Sequence, residues 1–255
     1  MSANINFIDL FAGAGGFSEG FIREGFNPVA HVELDKAACN TLLTRTVYHY
    51  LIKIKKQHVY FDYLKGEVSR EDLYKFLPDN LRNSIINISI DSNNNKTIFS
   101  QIDQLKGNKK IDLIAGGPPC QAYSLIGRAA DKNGMIGDGR NYLFEQYGEY
   151  LKKYKPKYFV FENVVGLLSA KTISGDNYLN KVISLFSSLG YKVEYKILNS
   201  STFGVLQNRK RVILIGRKGT KTGFYPQFSP LIHDNLVNEI FSGLPKLNAG
   251  EDLIN

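Results

Sequence analysis

A short apolar run from Ile5 to Phe11 ends on Ala12-Gly13-Ala14-Gly15-Gly16 and gives way to a helical stretch from Ser18 to about Glu24, stopped by Gly25. Few folds accept that order. A second apolar run, Pro28 to Glu33, and a helix from about Lys36 complete a βαβ unit, and the alternation continues down the chain. Strands are expected over Ile111 to Ala115, Tyr158 to Glu162, Val193 to Leu198 and Val212 to Gly216. Helices are expected over Leu143 to Tyr154, ended before Pro156, and over Tyr178 to Leu189, ended by Gly190. The sum is an α/β fold, a doubly wound and mostly parallel sheet. Its ligands belong beyond the carboxyl ends of the strands, where Gly13 to Gly16, Glu33, Cys120 and Glu162 fall.

Residues 44–105 break this rhythm with Lys53-Ile54-Lys55-Lys56, a capped helix candidate from Ser69, and the polar run Asp91-Ser92-Asn93-Asn94-Asn95-Lys96. They read as a helical insertion, its lysines a solvated face. A main domain over 1–220 is expected, with 221–255 as either the start of a further, recognition region or an interface tail.

The glycine turn lets backbone amides approach a ligand at a helix N-terminus. Ser18 stands where the third glycine of G-x-G-x-x-G would be, which disfavours a dinucleotide. Glu33 ends the next strand, about where an acid reaches the hydroxyls of an adenosine ribose, so nucleoside binding is retained.

Two cysteines, Cys39 and Cys120, supply no disulfide framework and no metal-ligand cluster, and are expected to be free thiols. Cys120 follows a strand and two prolines, Gly116-Gly117-Pro118-Pro119-Cys120-Gln121, whose fixed φ angles present the thiol on a stiff mount at the ligand edge. A hydrophobic content of 43% supports a core, and no apolar run is long enough to span a bilayer. With no secretory signal at the N-terminus, an intracellular location is expected. The net charge of +8 favours a polyanionic partner.

Four motifs then occur in a fixed order: Phe7-Ile8-Asp9-Leu10-Phe11-Ala12-Gly13-Ala14-Gly15-Gly16-Phe17-Ser18, Gly117-Pro118-Pro119-Cys120-Gln121, Glu162-Asn163-Val164, and Gln207-Asn208-Arg209-Lys210-Arg211-Val212. In these, over roughly residues 5–216, the chain resembles the cytosine-C5 DNA methyltransferases. The resemblance implies a Rossmann-like fold binding S-adenosylmethionine (AdoMet), with S-adenosylhomocysteine as product. It implies that Cys120 attacks cytosine C6, that Glu162 holds N3 and the exocyclic amine, and that Arg209 and Arg211 support the base and the catalytic loop. Phe11, Ala12, Gly13, Ala14, Gly15, Gly16, Glu33, Leu34, Asp91, Pro118, Asn141 and Leu143 would form the cofactor site, with Asp103 a second choice for the acid at Asp91. Pro119, Gln121, Ser124, Arg128, Asn163, Val164 and Gln207 would meet the DNA or the flipped base, and no metal is implied.

The chemistry explains these residue types. Cytosine C5 is a poor nucleophile, so a thiolate must first add at C6, and cations near the thiol favour the thiolate. An acid beside N3 offsets the charge that addition pushes into the ring. A stacked base is inaccessible from both faces and must be flipped out, and residues 121–141, with four glycines, read as a loop that closes over it.

Full-length members of the family continue into a target-recognition region and a final Gly-Asn motif, neither of which is found here. Two explanations compete, the first subunit of a split enzyme and a truncated chain, and a partner chain carrying the missing parts is expected. The leading expectation is a bacterial or archaeal cytoplasmic enzyme of a restriction-modification system, nucleoid-associated and acting on double-stranded DNA. Its rivals are an RNA (tRNA) cytosine methyltransferase and a catalytically silent AdoMet- or DNA-binding regulator.

Overall fold

The computed structural model describes residues 5–119, 143–171, 175–231, 239 and 241–248. Two compact units are distinguished, Met1–Leu198 with Lys210–Pro226, and Asn199–Arg209 with Gln227–Asn255.

The first unit is built on a seven-stranded sheet. Its strands are β1 (Asn6–Leu10), β2 (Asn27–Val32), β3 (Ile85–Ile86), β4 (Leu113–Gly116), β5 (Tyr158–Val164), β6 (Tyr191–Asn199) and β7 (Lys210–Lys218), in the order β3-β2-β1-β4-β5-β7-β6. The pairs from β3 through β5 are parallel, and β7 runs antiparallel to β5. This is the expected doubly wound, mostly parallel sheet. The reversal of strand order beside β1 opens a crevice between β1 and β4, the usual ligand position of such sheets.

The helices among the described residues are α1 (Gly16–Arg23), α2 (Lys36–Lys53), α3 (His58–Leu64), α4 (Arg70–Lys75), α5 (Asp79–Arg82), α6 (Asn95–Lys106), α7 (Leu143–Tyr154) and α8 (Tyr178–Ser188). Three of their starts follow from side-chain caps: Asp35 accepts from Ala38 N at 2.7 Å, Ser69 from Asp72 N at 3.1 Å and Asn177 from Asn180 N at 3.2 Å. The stretch 44–105 contains α3 to α5, but also β3, which pairs with β2, and α6. Part of what reads as an insertion is therefore sheet and crossover. A two-residue strand carries too little periodicity to be seen in sequence.

The core is aromatic. Tyr147, fully buried on α7, donates to Ile114 O at 2.9 Å and Val160 O at 3.2 Å, tying the helix to β4 and β5. Phe159, Phe161 and Phe186 surround its ring at centroid distances of 5.2–6.0 Å. A separate apolar cluster, with Val47, Leu51, Val59, Leu73 and Leu77 at its centre, holds α2, α3 and α4 together. No helix among the described residues is long and apolar enough to cross a membrane.

Candidate active site

The loop after β1 is shaped by its backbone. Phe11, Gly13 and Gly15 have φ of 56°, 52° and 79°, a left-handed conformation that glycine accepts freely and phenylalanine does not. Gly15 also packs tightly: a Cβ there would come 2.7 Å from Leu42 Cδ2 on α2. Because Gly15 occupies the N-cap of α1, no side chain covers the first amides of that helix. Farther along α1, Glu19 accepts from Arg23 Nε at 2.7 Å, pairs with His49 Nε2 at 2.9 Å and accepts from Arg45 at 3.3 Å, fixing α1 against α2.

Glu33, one residue past β2, holds two loops at once. Its Oε2 accepts from Gly13 N at 2.7 Å and its Oε1 from Asp35 N at 2.8 Å. Beside it lies a cleft of about 560 Å³ lined by Phe11, Val32, Glu33, Leu34, Ile88, Ser89, Ile90, Asp91, Gly117, Pro119 and Leu143. Phe11, Glu33, Leu34, Asp91 and Leu143 all belong to the expected cofactor set, and the fold brings them to one place. Ile88 and Ile90 fall inside the stretch that reads as insertion, which hides them. Asp91 is half-exposed; burial opposes its ionisation, but bonds from Asn94 N, Asn94 Nδ2 and Asn93 N hold its carboxyl below the usual range.

The remaining members of the expected cofactor set lie elsewhere. Ala12 is buried beneath the turn, its N–H bonded to Val32 O, and Ala14 and Gly16 belong to the turn without lining the cleft. Pro118 is buried and faces a small internal cavity with Phe144, Asn163 and Leu167. Pro119, assigned to the substrate, borders both that cavity and the cleft. Asn163 is buried, its Oδ1 accepting from Val164 N while its Nδ2 has no partner among the described residues.

Glu162 and Arg211 meet across β5 and β7, with Arg211 Nε 2.7 Å from Glu162 Oε1 and both side chains about three-quarters buried. Gly117 completes the arrangement: a Cβ on it would stand 2.7 Å from Glu162 Oε2, so only glycine lets this segment pass so close to the carboxylate. Gly117 thereby touches Glu162 on one side and lines the cleft on the other. Gly117 stands in the motif that ends at Gln121 but is not singled out in the sequence as a site residue.

Gln207 and Arg209 belong to the second unit, where Ser200 Oγ donates to Gln207 O at 2.6 Å and Ser200 N to Arg209 O at 3.0 Å. Both side chains are exposed. Cys120, Gln121, Ser124, Arg128 and Asn141 lie outside the described residues. Cys39 is a free, buried thiol pushed up to about 11 by burial, with Glu33 nearby. Among the described residues no group of His, Cys, Asp and Glu could hold a metal ion.

Comparison with known proteins places the chain in a family and a fold. The chain is 37% identical to the type II methyltransferase M.Bpa9945I of Bacillus paralicheniformis over 96% of its own length and 62% of the relative's. It is 33% identical to M1.HphI of Haemophilus parahaemolyticus, over 98% of this chain and 55% of that one, and 33% identical to M.DdeI of Desulfomicrobium norvegicum, over 97% and 50%. The chain thus spans between half and two thirds of the length of these relatives. In fold it is similar to a protein described as a DNA modification methyltransferase, encoded within a prophage of E. coli, with a TM-score of 0.60 and 23% identity over 95% of this chain and 56% of that one. It is also similar to the Entamoeba histolytica methyltransferase EhMeth, with a TM-score of 0.52 and 17% identity over 92% and 58%. The family model for C-5 cytosine-specific DNA methylases matches residues 5–65 and 79–245, leaving out only the stretch around α4 and the ends, and the chain belongs to that family.

Proposed function

We propose that the chain is the catalytic part of a restriction-modification methyltransferase that moves a methyl group from AdoMet to C5 of cytosine in duplex DNA. The observation that carries this reading is the position of Gly117, between a nucleoside-sized cleft and the Glu162–Arg211 pair, two residues before the Pro119–Cys120 bond.

The cleft fits the methyl donor. Glu33 has lone pairs left on both oxygens after accepting from Gly13 and Asp35, enough for ribose hydroxyls. Phe11, Leu34, Ile88, Ile90 and Leu143 offer apolar walls for an adenine, aliphatic where the family often has an aromatic residue after the acid. The bound donor supplies an electrophilic methyl group. The chain's own residues do the rest: the Cys120 thiolate adds to C6, C5 takes the methyl and loses its proton to a base, and elimination returns the thiolate. Glu162 holds the ring's polar edge during addition and Arg211 fixes Glu162. The target base is flipped out to reach them.

Selection of the DNA sequence is assigned to a target-recognition region outside these residues, on a second chain or on the remainder of a longer one. The type II relatives named above come from bacteria, and a bacterial cytoplasmic setting near the nucleoid follows from the same reading.

A duplex carrying 5-fluorocytosine tests the proposal, because fluorine cannot leave C5 as a cation and the adduct is trapped. With AdoMet, mass spectrometry is expected to show a covalent protein-DNA adduct that Cys120→Ser abolishes. The assay is run on the chain alone and with the product of the neighbouring reading frame, on DNA and on tRNA. No adduct under any of these conditions overturns the nucleophile, and an adduct with tRNA alone overturns the substrate.

A further inference from the structure

Among the described residues, a row of positive charge lies at the edge of the sheet opposite Glu33 and Glu162, where the parallel strands begin. Lys109 and Lys110 precede β4, Lys155 and Lys157 precede β5, Arg217 and Lys218 end β7, and Lys192 lies at the start of β6. Backbone bonds place these segments side by side: Tyr158 N donates to Asp112 O at 3.1 Å, Lys218 N to Lys157 O at 2.9 Å and Gly219 N to Gly190 O at 3.0 Å. The six lysines are exposed and Arg217 is half-buried. Two acids share this edge, and both are turned to backbone amides, Asp112 accepting from Asn6 N and Glu194 from Gly223 N and Tyr225 N. The ends of these four strands thus carry seven cations, and the two acids beside them are engaged by backbone amides.

Lys109, Lys110, Lys155 and Lys192 form no ion pair with a described residue. Lys218 is held in place, its Nζ 2.6 Å from Leu189 O and 4.6 Å over the Tyr191 ring. Four neighbouring strands make a row about 14 Å wide, and a duplex carries about eight phosphate charges over that length. Four strand steps, about 13 Å, separate Tyr158 from Glu162, so the rim and Glu162 lie at opposite ends of β5.

We propose that this lysine rim is a second, sequence-independent contact for the phosphate backbone of duplex DNA, on the side of the sheet away from the cytosine site. It would keep the protein on DNA while the other edge is empty. The proposal stands apart from the methyl-transfer reading, because its ligand needs no cytosine.

The test measures binding of a duplex made only of A·T pairs, by fluorescence anisotropy across a salt series, with Lys109→Gln/Lys110→Gln/Lys155→Gln/Lys157→Gln beside the unchanged chain. Each phosphate that no longer meets a lysine lowers the slope of log K against log salt by about 0.9, so the expected fall is up to about 3.6, with affinity at low salt down roughly tenfold or more. Arginine at the same four positions is expected to keep binding. Lys53→Gln/Lys55→Gln/Lys56→Gln, at the far end of α2, is expected to change it little. The Lys109→Gln/Lys110→Gln pair alone, in the loop before β4, carries the same test at about half the slope change should the fourfold variant not fold. An unchanged slope, an equal loss in the Lys53 variant, or tighter binding to phosphatidylserine vesicles than to DNA overturns the proposal.

Discussion

Glu162 accepts a 2.7 Å bond from Arg211 Nε although the two are not directly opposite in the sheet: Glu162 pairs with Ile213 and Arg211 with Val164. The pair is thus diagonal across antiparallel strands, a distance that a long arginine spans and that places its guanidinium over the carboxyl end of β5. Arg211→Ala leaves a largely buried carboxylate without its partner. The expected cost is about 1 kcal/mol of stability, read as a Tm lower by roughly 2–4 °C, and a fall in 5-fluorocytosine adduct formation of about a hundredfold. Arg211→Lys, which keeps the charge but loses the planar fork, is expected between the two. A lower Tm with an unchanged adduct rate would mean that the pair serves the fold alone.

Gly117 makes a sharper distinction between site and scaffold. Gly117→Ala places a methyl 2.7 Å from Glu162 Oε2, and the carboxylate must turn away. Adduct formation is expected to fall at least tenfold, with the Tm lowered by roughly the 2–4 °C that goes with loss of the Glu162–Arg211 pair. Gly216→Ala drives a methyl into the Phe159 ring in the core instead. It is expected to cost about 1–3 kcal/mol and to lower the Tm without a specific loss of cofactor binding. Thermal melts and AdoMet titrations on both variants check the contrast.

The central strands β1, β2, β4 and β5 and the bounds of α1, α7 and α8 were legible because each strand is an apolar run and each helix is closed by a glycine or a proline, whereas α3, α5, α6 and the two-residue β3 carry no comparable signal. The span of α7, Leu143–Tyr154, coincides with the expected one, closed by the Pro156 that follows. Glu33 could be placed from the end of its strand, and Leu143 only through the family resemblance. Gly117 could not, since its role is a contact between β4 and β5 that no local pattern reports. Arg209 and Arg211 look equivalent in sequence, two residues apart in one motif. In the fold Arg211 bonds Glu162 and Arg209 belongs to another compact unit, because β7 begins between them at Lys210.

Asp9 and His31 predict an unusual pH profile. They are Cα partners on β1 and β2, both fully buried, with no hydrogen-bond partner among the described residues for either carboxylate oxygen or either ring nitrogen. Burial raises Asp9 from 3.8 to about 7; the nearby Ser18 hydroxyl, itself directed at Gly15 O, pulls it partly back, and Glu33 adds to the rise. Burial lowers His31 from 6.5 to about 4. With Asp9 the folded state holds the extra proton, so its contribution to stability is full below pH 3.8 and is lost as pH rises to about 7. With His31 the unfolded state holds the extra proton, so stability increases as pH rises from about 4 to 6.5. The two slopes oppose each other over nearly the same window. Asp9→Asn is therefore expected to make the Tm climb from pH 4 to 6.5, and His31→Gln to make it fall from pH 4 to 7. Melting curves at half-unit pH intervals read both. Parallel slopes in the two variants would contradict the opposition.

Glu33 joins the loops after β1 and β2 through Gly13 N and Asp35 N, and the same carboxylate borders the cleft. Glu33→Gln retains one acceptor oxygen and so must release one of the two amides. Glu33→Ala releases both. A hydrogen bond to a charged group is worth about 1.5–3 kcal/mol, and each 1.4 kcal/mol is about a tenfold change in affinity. AdoMet affinity is therefore expected to fall about tenfold to a hundredfold in Glu33→Gln and further in Glu33→Ala, read by calorimetric titration. The amide exchange carries the inference. If the carboxylate only met the ribose, neither variant would change exchange at Gly13 or Asp35; if it also fixes the glycine turn, Glu33→Gln frees one of the two amides and Glu33→Ala increases exchange at both together.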